Sequence, residues 1–208
     1  MPVKKGRSEH LPPHGSDQIG MERLIFFSDA VFAIAITLLV LDIRLPTAGD
    51  SLTDAELSQL LLGIWPKYMA YVISFLVIGM FWIGHHRKFR FIQRYDNRLL
   101  LLNVLLLMVI AFTPFPTTLI SEYVNRTATI FCALVMILSS LLSFAIWWYA
   151  SYNGLIDPNL DQRKRRRETF GPLLVAGIFL VSIGLAYING GVARLSWLLV
   201  AFMLRFYR

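Results

Sequence analysis

The sequence predicts an all-α, polytopic membrane protein of six transmembrane helices with both termini cytoplasmic. Three observations carry that prediction: 56% of its 208 residues are hydrophobic, mean hydropathy is +0.59, and Lys and Arg collect in alternate loops. A soluble domain of this size cannot hide so much apolar surface, and here the surface falls in long runs. Segments can be drawn at 23–43, 65–84, 99–119, 127–150, 170–188 and 192–206, the last of them short.

Residues 1–17 contain Lys4, Lys5, Arg7 and two adjacent prolines but no apolar core, and read as a disordered basic tail. Ser16 or Asp17 is placed to cap the first helix. The first apolar run is too long for a cleaved signal, so residues 18–208 form one six-helix membrane domain, without internal duplication. Thr53-x-x-Glu56 resembles a capping box with Leu57, Leu60 and Leu61 on one face. It marks either a short outer helix or the start of the second span. Pro66 falls where a first-turn proline is tolerated, and Pro114 and Pro116 end the third segment. The single cysteine, Cys132, lies mid-segment and reads as a small core residue.

With the N-terminus inside, sixteen of the twenty Lys and Arg residues fall at inner positions and four, Arg44, Lys67, Arg126 and Arg194, at outer ones. That split supports both the six-span count and the N-in, C-in orientation. It also explains the net charge of +7 without nucleic acid: the run Arg163–Arg167 reads as a cytoplasmic anchor for anionic lipid.

The first span, Arg23 to Ile43, is 21 residues long, roughly 31 Å as a helix and about one hydrocarbon thickness. At 100° per residue Ile34, Leu38, Leu41 and Val31 form one apolar stripe, with Asp29 about 140° and Ser28 about 120° from Ile34. The stripe suits either a helix lining an axis shared between subunits or a plain lipid-facing surface; periodicity does not separate the two. The opposite face carries polar groups that need protein partners, because a carboxylate inside a span is costly. Trp82, His85 and His86 on the second span and Asn103 on the third lie at comparable depth. Adjacent histidines without nearby thiols or carboxylates are a weak metal signal, so a structural hydrogen-bond role is expected and no cofactor. The chain has no catalytic constellation, Gly-rich phosphate loop or carbonyl-filter motif, and it does not read as an enzyme.

Arg23-Leu-Ile-Phe-Phe27-Ser28-Asp29 matches Arg-x-x-x-Phe-Ser-Asp, and Phe81-Trp82-Ile-Gly-His-His86 closes the second span. In both motifs the chain resembles the endolysosomal potassium-channel family (transmembrane protein 175), in its single-repeat prokaryotic form, over residues 20 to 208. The resemblance implies a homotetrameric leak channel favouring potassium, lined by the first helix of each subunit, in a prokaryotic plasma membrane. It implies apolar constrictions at Ile34, Leu38 and Leu41, with Thr37 a polar position near the pore. It further implies that Arg23, Phe27, Ser28 and Asp29 carry a structural network with Trp82, His86 and Asn103. Expected partners are therefore other copies of the chain, lipid and permeant potassium. Asp42, near the outer mouth, could concentrate cations or simply snorkel. Two rival classes stand beside this one. A proton-coupled transporter or proton pathway would use Asp29 and His86 and show proton-linked flux. A non-conducting scaffold docking through 163–167 would show no flux.

Overall fold

The computed structural model describes residues 13–45, 52–123 and 125–202. They form an almost entirely helical bundle: α1 (Pro13–Leu38), α2 (Asp54–Gly63), α3 (Trp65–Phe89), α4 (Asn97–Phe112), α5 (Pro114–Glu122), α6 (Arg126–Tyr152), α7 (Gln162–Ala186), α8 (Gly190–Leu195) and α9 (Leu198–Phe202). A 3₁₀ turn, Leu39–Asp42, prolongs α1. Among the described residues, five stretches are long and apolar enough to cross a membrane: Gln18–Asp42, Trp65–Phe89, Asn97–Glu122, Arg126–Tyr152 and Gln162–Ala186.

The sixth expected segment differs. It is divided into α8 and α9, and its apolar helical part runs only over Gly190–Val200, short of a membrane thickness. The rest of that expectation, from 203 onward, lies outside the described residues, as does most of the N-terminal tail. α1 begins at Pro13, so Ser16 and Asp17 fall inside the helix and do not cap it. A proline in the first turn loses no intrahelical bond, which lets the helix start there.

Local sequence accounts for the other boundaries. Asp96, Asn125, Asp161 and Asn189 each cap a following helix, side-chain oxygen to backbone N–H. Pro114 interrupts the third span between α4 and α5, and Pro172 sits inside α7. Past the end of α6, Gly154 takes φ +65, a backbone conformation that only glycine adopts without penalty. The chain then pairs Ile92 with Ile156 in one bridge that ties the α3–α4 loop to the α6–α7 loop. At Gly20 a Cβ would lie 1.9 Å from the Tyr95 hydroxyl, so α1 meets this loop closely and any side chain there would have to displace the Tyr95 ring.

Two apolar cores hold the bundle. One joins α1, α3, α4 and α6 around Phe32, Ile78, Leu106, Ile110 and Trp147. The other joins α3, α5, α6, α7 and α9 around Val77, Cys132, Met136, Phe179 and Trp197. Cys132 is buried there with a free thiol.

The Thr53–Glu56 motif starts a separate helix. Thr53 N–H donates to Glu56 Oε2 at 2.9 Å, and Glu56 N–H donates back to Thr53 Oγ1 at 3.3 Å. α2 buries none of its residues. The Thr53 backbone bond, then its hydroxyl, hold the Glu56 carboxyl below its ordinary value of 4.5. A depressed carboxyl stabilises the fold above its unfolded value and ceases to do so as pH falls through the native one. Acidification is therefore expected to fray the first turn of α2. The check is the protection factors of amides 53, 56 and 57, which should fall on acidification in the wild type and be low at every pH in Glu56→Ala. A first turn equally protected in both proteins would overturn the expectation.

Candidate pore helix and its buried polar support

α1 has two faces. Met21, Leu24, Ser28, Phe32, Ala35 and Leu39 are buried, at helical spacing. Between them runs an exposed stripe: Arg23, Phe26, Phe27, Ala30, Ala33, Ile34, Thr37, Leu38 and Leu41. Ile34, Leu38 and Leu41 are 58%, 43% and 60% exposed in the single chain. Val31, expected in the same stripe, is instead partly buried against the core. It sits about 60° from Ile34, on the side away from Ala30, Ala33 and Thr37. Thr37 Oγ1 donates to the Ile34 carbonyl at 3.0 Å, which leaves its oxygen lone pairs free on the exposed face.

Behind the stripe lies a polar chain linking three helices. Ser28 Oγ donates to the Leu24 carbonyl at 2.8 Å and accepts Asn103 Nδ2 at 2.9 Å. His85 Nε2 lies 2.8 Å from Asn103 Oδ1. Ser28 and Asn103 have no exposed surface and His85 has 2%. The amide oxygen is acceptor-only, so Nε2 carries the proton, and the arrangement selects one histidine tautomer. Among the described residues His85 Nδ1 has no hydrogen-bond partner; the ring stacks on Phe89 with centroids 4.3 Å apart. Doubly protonated, His85 would carry a buried charge and an unpaired N–H, so this network is built for the neutral ring.

The histidine joined to Asn103 is thus His85, whereas the resemblance pointed to His86. His86 is exposed and lies against the Trp82 ring, centroids 5.7 Å apart. Adjacent residues point about 100° apart on a helix, so only one can enter the core. Seven residues after the fully buried Ile78 and four before Phe89, His85 is on the buried face.

Asp29 has a different partner. It is half-buried and accepts the Trp82 indole N–H at 2.8 Å. Arg23 and Phe27 are exposed, and Arg23 makes no hydrogen bond or ion pair among the described residues. Asp42 accepts from Ser121 Oγ, tying the end of the first span to α5. Replacing Trp82 with phenylalanine keeps the ring and deletes one charge-assisted bond at a half-exposed site. It is expected to lower stability by about 1 kcal/mol, measurable as a modest fall in melting temperature. A loss as large as that of a fully buried partner would show that Asp29 is more enclosed in the assembled protein.

The fold and this site define a helical multi-pass membrane protein whose first helix presents a largely apolar face and is anchored from behind by buried hydrogen bonds. The family described as "Endosomal/lysosomal potassium channel TMEM175" matches residues 23–114. "Potassium channel B446_29190" of Streptomyces collinus is 40% identical over 80% of this chain and 82% of its own length. The chain belongs to the TMEM175 potassium-channel family. A crystal structure of a "lysosomal potassium-selective channel TMEM175 homolog" from Chamaesiphon minutus superposes with a TM-score of 0.79 at 31% identity, covering 90% of this chain and 97% of that one. The zebrafish (Danio rerio) "Endosomal/lysosomal proton channel TMEM175" is 29% identical over 79% of this chain and 30% of its own length.

Proposed function

We propose that this chain conducts potassium through a pathway enclosed by α1 of four identical subunits, with Ile34, Leu38 and Leu41 as its apolar constriction. The observation that carries the reading is the exposed α1 stripe. One copy of a helix cannot enclose an axis, and a face that places Ala30 and Ala33 beside Ile34 and Leu38 lets copies approach closely while bulky apolar side chains point inward. The channel class rests on family membership; the tetramer and the ring rest on the resemblance and on the exposed stripe. The N-in orientation and a place in the bacterial cell membrane complete the reading.

An apolar ring offers no oxygen to replace an ion's water, so passage costs partial dehydration. Potassium holds its water less tightly than sodium and crosses at lower cost. The Thr37 hydroxyl, one turn from Ile34 and Leu41, is the polar group positioned to solvate an ion between constrictions. Ser28, Asn103 and His85 hold α1 against α4 and α3, and Asp29 with Trp82 gives it a second attachment to α3.

Protons are the second candidate cargo, because vertebrate relatives are described as proton channels. A relay from Asp29 to His86 has poor support. The group each touches is Trp82, and an indole donates a hydrogen bond without accepting one. The test is flux from the purified chain in liposomes under potassium, sodium and proton gradients in turn. Potassium flux well above sodium supports the proposal; no flux for either ion, from protein shown to be folded and tetrameric, overturns it. Flux of protons alone, abolished by Asp29→Asn, would favour the rival.

A further inference from the structure

Away from α1, a cavity of about 60 Å³ opens between α3 and α7 where α9 ends, toward the end of the bundle that carries the basic loops. Met80 and Val175 are among its apolar walls, and at its other end lie Arg87, Lys88, Ser143 and Glu168. Arg87 and Glu168 form an ion pair, with Glu168 only 3% exposed. Lys88 is equally buried, and its Nζ donates to Ser143 Oγ. A hydroxyl carries no charge to set against an ammonium. The cavity's one carboxylate, Glu168, is shared between Arg87 and Lys88, so two cations against one anion leave an excess positive charge in an apolar wall. Burying a charge that way is expensive unless an anion completes it.

We infer that this cavity takes the phosphate of an anionic phospholipid from the leaflet on the basic side, with Lys88 as the buried cation and Arg87 at the mouth. Three features fit that occupant together. The space has room for several waters, enough for a headgroup phosphate. Arg87 keeps 25% of its side chain exposed, so the cavity communicates with the surface. Met80, Ile83 and Val175 are partly exposed walls of the cavity and supply the apolar surface along which the acyl chains would run. Exposed Arg163 and Arg166 at the start of α7 would draw anionic lipid to the entrance, but the discrimination belongs to Lys88.

The experiment is native mass spectrometry of the full-length protein in detergent, titrated with phosphatidylglycerol, phosphatidylcholine, or inorganic phosphate. Phosphatidylglycerol is expected to be retained at least about tenfold more strongly than phosphatidylcholine, and Lys88→Met to abolish that preference. Gly84 lines the cavity, and a Cβ added there meets nothing within 4 Å. Gly84→Leu therefore fills the space without touching a charge, keeps the test alive if Lys88→Met misfolds, and is expected to abolish the preference too. Equal retention of the two lipids overturns the inference. So does a preference that survives both variants but vanishes on neutralising Arg163 and Arg166, which would mean adsorption to the basic surface. Displacement of phosphatidylglycerol by millimolar inorganic phosphate would reassign the site to free phosphate. None of these outcomes bears on potassium conduction.

Discussion

Asn103→Leu is expected to lower the stability of the folded protein by about 2–3 kcal/mol. Asn103 is fully buried and joins two helices at once: its amide N–H reaches Ser28 of α1, and its carbonyl receives the His85 ring of α3. Leucine has a similar volume, so packing changes little and the cost comes from what is left behind. A single interhelical bond in a membrane protein is worth only about 0.6 kcal/mol on average. The larger figure arises because the His85 N–H is left buried without an acceptor. That origin makes a sharper test than the size alone. Ser28→Ala should be costly in the wild type and nearly free once Asn103 is leucine, and the triple variant that also carries His85→Leu should recover part of the lost stability. Melting temperatures of the purified variants give the comparison. Additive losses, with no recovery in the triple variant, would show that the three side chains do not act as a unit.

The reach of sequence reasoning differs between the two faces of α1. Periodicity alone brought Ile34, Leu38 and Leu41 together, and all three are exposed on one side. It placed the stripe's centre too far toward Val31, because only large apolar residues were counted. Ala30, Ala33 and Thr37 belong to the same face, and including them rotates its centre by about 50° and puts Val31 beyond the edge. The polar face was legible in its members and not in its pairings. Ser28 and Asp29 are neighbours in sequence, yet about 100° separates them on the helix, and so one goes to α4 and the other to α3. The choice between His85 and His86 turns on the rotation of α3, set by how Ile78 and Phe89 pack, which is a tertiary matter. Element ends were readable at Thr53 and Pro114, where a cap or a proline fixes them, and less so at α1, where proline starts the helix ahead of two good capping residues. The Lys88 cavity carried no sequence signal, since its walls come from α3, α6, α7 and α9.

Ile34→Ala or Leu38→Ala is expected to raise sodium permeability relative to potassium by about tenfold, which corresponds to about 1.4 kcal/mol of lost discrimination. If selectivity resides in an apolar ring, it is a difference between two dehydration costs, and it lasts only while the ring is too narrow for a hydrated ion. Each substitution removes three carbons from a side chain that projects from the exposed face of α1, and in the proposed tetramer four subunits repeat the change around one axis. The widened ring admits water, both ions keep more of their shells, and the permeability ratio moves toward their relative mobilities in solution. Total current should rise as selectivity falls, because the same dry constriction also limits conduction. A polar route to selectivity predicts otherwise: if the Thr37 hydroxyl discriminated between the ions, Thr37→Val would abolish the preference and the alanine variants would keep it. Reversal potentials under bi-ionic conditions, on channels reconstituted in planar bilayers, separate the two. Unchanged reversal potentials in both alanine variants would remove Ile34 and Leu38 from the filter while leaving α1 as the pathway.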